Sequence, residues 1–239
     1  MHRQHNPSQD SELFQNDIPR RLLEVRQRIA AAAQKAGRSA DSVRLLAASK
    51  RQPVERLEHA YHAGQRDFGE NYVQELVSKQ QALQHLPDLR LHLIGHLQRN
   101  KARHAAPCVS SVHSVDSAAV ARELDRRLAS LSRRIEVFVE VNLGDEPNKS
   151  GCVVRELPPL IEAVAECPQL ELVGLMTIPP ATPSAEGARP YFRRLRELSA
   201  GQCIALPRLS MGMTSDFEVA IEEGATDVRV GTALFGARA

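Results

Sequence analysis

Short apolar segments alternate with segments of helical periodicity along nearly all of this 239-residue chain. Eight of the apolar segments have the length and composition of buried strands. They are VRLLAAS, RDFGE, LHLIG, VSSVHS, IEVFVEVN, LELVGLMTI, PRLSMGM and TDVRVG. Strands separated by helices indicate βαβ units and a parallel sheet. Eight such units in a chain of this length favour an α/β fold with a single (β/α)8 TIM barrel over an open doubly wound sheet.

An extra helix is predicted before the first strand. Asp17 is expected to cap it, Pro19 lies in its first turn, and Gly37 ends it. Residues 1–16 lack the apolar core of a signal peptide and are predicted to form a mobile tail. We therefore expect a tail over residues 1–16 and one barrel domain over residues 17–239. The proline-rich segment 178–190 is expected to be a long loop at the barrel rim.

Composition narrows the functional classes. The chain has 31 basic and 29 acidic side chains, which gives no support for a general nucleic-acid surface. Its four cysteines form no CxxC pair, so a structural zinc site or disulfide framework is disfavoured and a reducing cytoplasm is expected. No apolar run approaches membrane-spanning length, so no membrane partner is expected. No heptad pattern or long apolar edge strand requires a second subunit, so we expect a monomer.

Functional residues of such barrels lie at the carboxyl ends of the strands. The first strand runs into a lysine, Lys50, which either turns to solvent or supplies an amine to a site. The loops after strands seven and eight usually hold a phosphate, and these strands end near Ser210 and Thr232. Arg229 alternates with valines, so it either points into the barrel or pairs outside it. A lysine facing a phosphate cradle is suited to hold a phosphorylated aldehyde as a Schiff base.

Two further groups are open to a functional interpretation. His92 and His96 have the spacing of a helical metal pair, but they lie on a strand and a turn, so no metal site is expected. His59 and His113 are expected to be ordinary core or surface histidines. Lys149, after strand five, is either a transient anion contact or a solvated loop lysine.

Long motifs carry a resemblance to a known family. They are AASK, AGQRDFGENYVQE, LIGHLQRNK, HSVD, VNLGDEPNKSG, GLMTIP, LSMGMTSDFEVAI and DVRVGTALFGAR, in this order between about Leu22 and Arg238. The sequence resembles the pyridoxal phosphate homeostasis proteins, which are single-domain relatives of the alanine racemase barrel. Leu91 stands where the family often has an aromatic residue, and Thr214 where serine is common.

The resemblance implies a bound pyridoxal phosphate. It places the aldimine lysine at Lys50 and an asparagine contact at Asn71. It places the phosphate at Ser210 and Thr232, with backbone donors from Met211 and Gly231, and it puts Arg229 at the pyridine nitrogen.

The resemblance also implies a role in pyridoxal phosphate homeostasis, with supply to apoenzymes and little or no catalysis, so no catalytic residue is expected. An arginine at the ring nitrogen only donates hydrogen bonds and weakens the cofactor as an electron sink. The racemases resembled here take a catalytic tyrosine from an additional domain. Two alternatives stay open: a true pyridoxal enzyme such as a weak racemase, and a phosphate-binding isomerase or aldolase without cofactor.

Overall fold

Eight parallel strands close into one barrel, and each strand pairs with the next in chain order. The structure is a computed structural model, and it describes residues 17–236. The strands are β1 (Arg44–Ala48), β2 (Asp67–Glu70), β3 (Arg90–Leu93), β4 (Ser111–Val115), β5 (Ile135–Glu140), β6 (Leu170–Met176), β7 (Arg208–Met213) and β8 (Asp227–Val230). All eight predicted strands are present, and the predicted (β/α)8 barrel is confirmed. The tail over residues 1–16 lies outside the described residues, so the domain boundaries remain a prediction.

Helices surround the barrel and connect its strands. They are α1 (Ile18–Lys35), α2 (Val54–His62), α3 (Val73–Ala82), α4 (Ala102–Ala105), α5 (Ala118–Ala129), α6 (Leu157–Ala165), α7 (Ala185–Ala200), α8 (Phe217–Glu222) and α9 (Thr232–Phe235). Short 3-10 turns lie at Ala40–Ser42, Arg99–Lys101 and Val154–Glu156. Within residues 17–236, no helix is both long and apolar enough to cross a membrane.

The predicted extra helix is α1, which packs against α8 and α9. Its buried face repeats at helical spacing through Leu22, Val25 and Ile29. Pro19 lies in the first turn, and Gly37 ends the helix with φ +68°, as predicted. The prediction for Asp17 was wrong in detail. Its carboxylate makes no cap hydrogen bond, because it accepts hydrogen bonds from arginines of the first turn.

The proline-rich rim loop is shorter than predicted. Helix α7 begins at Ala185, where the Ser184 hydroxyl accepts a hydrogen bond from the Gly187 N–H at 3.3 Å. Pro190 therefore lies inside the helix rather than before it. A strong N-cap starts the helix early enough for the proline to fall in its second turn.

Charged side chains fill the amino-terminal end of the barrel, which we call the floor. Asp227 contacts Arg44 at 3.1 Å and also pairs with Arg208. Both of these arginines reach Glu136, at 3.1 and 2.6 Å. Asp67 accepts two hydrogen bonds from a further arginine on β3. The inward residues of the first layer are thus ionic rather than aliphatic.

Strand β7 contains a bulge that changes which residues reach its carboxyl end. Ser210 pairs with Asp227, whereas Met213 pairs with Arg229, so β7 has one more residue than β8 in this interval. Gly212 adopts φ +92°, and a Cβ there would lie 2.6 Å from the Ala220 Cβ. Glycine is therefore needed at this position. The bulge leaves Ser210 deep in the barrel and carries the following residues to the rim.

Candidate functional site

A cavity of about 440 Å³ opens at the carboxyl ends of β1, β7 and β8. Its lining comes from these three strand ends and the loops that follow them. The lining residues are Ala48, Lys50, Gln52, Met213, Thr214, Ser215, Arg229, Gly231, Thr232 and Gly236. Four of the predicted site residues therefore come together at this cavity: Lys50, Arg229, Gly231 and Thr232. We call this end of the barrel the mouth.

Lys50 is held at the cavity by its backbone neighbours. The Ser49 hydroxyl donates to Glu70 at 2.6 Å, and the Ser49 carbonyl accepts from Lys79 at 2.7 Å. Arg51 has φ +59°, and its N–H donates to Glu75 at 2.7 Å. A non-glycine residue with positive φ persists only where its surroundings hold it. These contacts fix the backbone on both sides of Lys50.

The buried cluster around Lys79 is one that the sequence did not indicate. The ammonium group of Lys79 also donates to Glu70 at 2.7 Å, and the side chains of Lys79 and Glu70 are both almost fully buried. Burial raises the pKa of Glu70 despite the attraction of Lys79. Lys79 and Glu70 face each other between α3 and β2, behind the strand end that carries Lys50.

Hydroxyl and backbone groups of β7 and β8 meet on one wall of the cavity. The Gly231 N–H donates to the Thr214 hydroxyl at 3.3 Å. Thr232 follows Gly231 and also lines the cavity. Asp216 holds the β7 loop by accepting the Met213 N–H at 2.6 Å. The wall therefore presents two threonine hydroxyls and the exposed Ser215 to any ligand.

Arg229 points into the barrel, as one of the two sequence interpretations required. One terminal nitrogen donates to the Ser210 carbonyl at 2.7 Å and to its hydroxyl at 2.8 Å. The other donates to the Thr177 carbonyl at 2.9 Å. Burial lowers the pKa of Arg229 to about 10, which leaves the guanidinium charged at neutral pH. These three hydrogen bonds occupy three of its five N–H groups and leave two that can reach the cavity.

Three predicted site residues lie outside the cavity lining. Ser210 is fully buried, and its hydroxyl is held by Arg229 and His113. Met211 packs in the hydrophobic core. Asn71 lies beside Gly95, and its side-chain Oδ1 is buried without a hydrogen-bond partner. Ser210 and Met211 lie short of the mouth because the β7 bulge adds one residue between Ser210 and the end of the strand. The glycine in SMGMTSD signals this bulge only weakly.

Sequence reasoning missed Glu140, the last residue of β5. It is 5% exposed, and its Oε2 has no hydrogen-bond partner. Burial raises its pKa to about 7, although the charge of Arg229 opposes the shift. Nothing in IEVFVEVN distinguishes this glutamate from an outward-facing one, because the strand alternation assigns a face only when the register is known.

The remaining candidates have structural partners. His92 lies between Asp67 and Ser111, whereas His96 pairs with Asp116 at 3.0 Å. No group of three or more potential metal ligands occurs in the described part of the chain. Lys149 is half-buried, pairs with Glu146 at 2.5 Å and donates to the Pro179 carbonyl at 3.3 Å.

Comparison with known proteins first defines the class. The family described as "Alanine racemase, N-terminal domain" matches residues 22–239. Alanine racemase of Corynebacterium glutamicum has a TM-score of 0.63 over 90% of this chain and 61% of its own, at 17% identity. At that identity the likeness shows the shared barrel fold only.

More similar proteins define the family. Pyridoxal phosphate homeostasis proteins of Pseudomonas aeruginosa and Aquifex aeolicus are 47% and 46% identical to this chain. The matches cover 92% and 91% of this chain and 96% and 97% of those proteins. PipY of Synechococcus elongatus, in a structure with pyridoxal phosphate bound, is 41% identical with a TM-score of 0.77, over 87% of this chain and 100% of PipY. The chain belongs to the pyridoxal phosphate homeostasis protein family.

Proposed function

We propose that this chain binds pyridoxal phosphate at the mouth, through Lys50, and serves as a carrier of the cofactor. The observation that supports this most is the meeting of an amine, a hydroxyl-lined wall and a buried guanidinium around one cavity. A volume of about 440 Å³ lies in the usual range for small-molecule sites. The cofactor bound to PipY and the name of the relatives agree with the proposal.

Each group of the cofactor has a matching group in the chain. Lys50 would hold the cofactor by supplying the amine for a reversible carbon–nitrogen bond to its aldehyde carbon, with loss of water. Thr214 and Thr232, with the backbone at Gly231, supply donors for the phosphate. We assign this role to Thr214 rather than Ser210, because the Ser210 hydroxyl already has two buried partners.

Arg229 decides between carrier and catalyst in this proposal. When bound, pyridoxal phosphate supplies an aromatic ring that stabilises negative charge on the carbon next to the amine. A guanidinium only donates hydrogen bonds, so it keeps a facing ring nitrogen unprotonated and weakens that stabilisation. Tyr61 and Tyr191 lie in α2 and α7, and Tyr72 lies just before α3. None of the three lines the cavity to act as a second acid or base.

The proposal includes the setting in which the carrier works. We assign it to the cytoplasm as a monomer, with pyridoxal phosphate as its ligand and pyridoxal-dependent apoenzymes as recipients. It has no nucleic-acid or membrane partner in this proposal.

The test is covalent trapping at a single lysine. The full chain is incubated with pyridoxal phosphate, reduced with borohydride, digested and mapped by mass spectrometry. We expect the label on Lys50 and none in Lys50→Ala. Lys35→Ala, at a lysine paired with Glu222 on the outer surface, is the matched control and keeps the label. Label retained in Lys50→Ala, for example on Lys149, contradicts the assignment.

An amino-acid panel tests the carrier role against a pyridoxal enzyme. The loaded chain is incubated with each amino acid, and racemisation and decarboxylation are followed by chiral chromatography. Multiple turnovers with any member would contradict the carrier proposal, even if Lys50 is labelled.

A further inference from the structure

A line of buried polar side chains crosses the barrel interior from the floor to the mouth. Consecutive groups lie 2.9, 2.6, 2.9, 2.8 and 2.8 Å apart. In order from the floor, the members are Asp67, His92, Ser111, His113, Ser210 and Arg229. We call this series the interior chain. All six side chains are buried, so the hydrogen bonds of their inner members are made within the protein.

The two ends of the interior chain fix its direction. Arg229 has no acceptor, so it donates to the Ser210 hydroxyl. Asp67 has no proton to give at neutral pH. Although burial opposes this, hydrogen bonds from Arg90 and His92 hold its pKa well below the usual range. With both imidazole rings neutral, every bond between these ends donates towards the floor.

This direction specifies the tautomer of both histidines. The Ser210 hydroxyl donates to Nδ1 of His113, so the proton of His113 is on Nε2 and is donated to Ser111. The Ser111 hydroxyl donates to Nδ1 of His92, whose Nε2–H then bonds to Asp67. Burial is the main cause that lowers the pKa of His113, and the positive charge of Arg229 adds to it, which agrees with a neutral ring.

A neutral His113 is also required by the bond count at Ser210. The hydroxyl already accepts from Arg229, and its own proton has one other polar neighbour along the chain, Nδ1 of His113. A proton on that nitrogen would leave the hydroxyl proton without this acceptor and place a cation beside a guanidinium. With both rings neutral, the polar atoms therefore fit together in only one arrangement.

We propose that the interior chain positions Arg229 in the mouth, with His113 and Ser111 as positioning residues for the cofactor site. The carbonyl and the hydroxyl of Ser210 both accept hydrogen bonds from the Arg229 guanidinium. The hydroxyl is oriented by His113, and that ring is oriented in turn by Ser111. The proposal rests on the proposed function for the identity of the ligand, whereas the direction of the interior chain is independent of it.

The first test examines the chain without cofactor. Two-bond proton–nitrogen correlation spectra of the full chain with ¹⁵N-labelled histidine distinguish the two neutral tautomers from the charged ring. Comparison with His92→Gln and His113→Gln assigns the two signals. We expect both rings to be neutral with the proton on Nε2 at pH 7.5. A charged ring, or an Nδ1–H tautomer, at either His92 or His113 would overturn the proposal.

The second test interrupts the chain at Ser111. In Ser111→Ala we expect the Arg229 Nε–H resonance to shift in the cofactor-free protein, and the Kd for pyridoxal phosphate to rise about 3- to 10-fold. Ser111→Thr keeps the hydroxyl and restores both values. Ser199→Ala removes a buried hydroxyl that bonds to the Leu206 carbonyl, outside the barrel, and serves as the matched control.

The two tests separate this proposal from the proposed function. Ser111→Ala that behaves like Ser199→Ala in both resonance and Kd would overturn the positioning role. Failure to label Lys50 in the trapping experiment would instead overturn the ligand assignment, and it would leave the tautomer result intact.

Discussion

The two ends of the barrel differ in whether their buried polar groups have partners. At the floor, Asp227 and Glu136 each contact two arginines, and Asp67 is held by an arginine and a histidine. At the mouth, Glu140 and Asn71 each bury an oxygen that has no hydrogen-bond partner. Among the described residues, the unpartnered buried oxygens include none from the floor carboxylates.

This difference shows what each end contributes. Paired charges of the floor add to the stability of the barrel only while every partner is present. Unpartnered polar atoms at the mouth cost stability, and a ligand can offset that cost by supplying the missing partner. The contrast matches the division in (β/α)8 barrels between a stabilising amino-terminal end and a functional carboxyl-terminal end.

The largest effect is expected from breaking the floor with Asp227→Ala. Removing this fully buried carboxylate takes from Arg44 and Arg208 a partner that they share, so the free energy of unfolding should fall by about 3–5 kcal/mol. Denaturant titration measures the change. Glu186→Ala removes an exposed partner of Arg189 on α7 and should cost far less. A loss in Asp227→Ala no larger than in this control would contradict the role of the floor.

Glu140→Gln should stabilise the chain at alkaline pH. The folded-state pKa of about 7 lies above the ordinary 4.5, so the folded chain keeps a proton that the unfolded chain loses. The associated stability is present below pH 4.5 and is lost as the pH rises to about 7. At pH 8 the glutamine variant should be more stable by about 2–3 kcal/mol.

Comparing wild type and variant at the same pH removes the contribution of other groups. His113 acts in the opposite direction, because its lowered pKa reduces stability as the pH falls below its ordinary value. Thermal or denaturant unfolding at pH 5 and pH 8 should show a difference between wild type and variant that grows with pH. Equal differences at both values would mean that Glu140 is ionised in the folded chain at pH 5.

The smallest of these effects is expected from Thr214→Val, which sharpens the assignment of the mouth. Loss of one hydrogen bond to a charged phosphate should weaken pyridoxal phosphate binding by about 2 kcal/mol, or about 30-fold. Free pyridoxal, which lacks the phosphate, should bind equally to both proteins. Thr182→Val, in the exposed rim loop, is the matched control. Equal weakening of both ligands would place the Thr214 hydroxyl in the fold rather than at the phosphate.

The sequence predicted the barrel well because strand alternation and apolar composition are local signals. The same signals placed Lys50 and Thr232 near strand ends, and both line the cavity at the mouth. They did not locate the bulge at Gly212, which separates the buried Ser210 from Thr214 at the cavity. A bulge depends on packing against the neighbouring strand and helix, which the sequence of one strand does not reveal.

The interior chain was also beyond sequence reasoning. His113 was expected to be an ordinary histidine, and VSSVHS gives no sign that its partner lies 97 positions further along the chain. Glu140 was missed for a similar reason, because its raised pKa arises from burial contributed by several strands. Pairings between distant segments are created by barrel closure, so they become visible only with the register of the strands.

Because the barrel is closed, its contacts do not depend on which strand comes first in the sequence. Strand β8 pairs with β1 as every other strand pairs with its successor, and α1 covers the same side of the ring as α9. Arg56 of α2 adds a bond to the Phe235 carbonyl at the end of α9. A gene rearranged to join α9 to α1 and to open the chain in the rim loop would therefore encode the same ring of contacts in a different order.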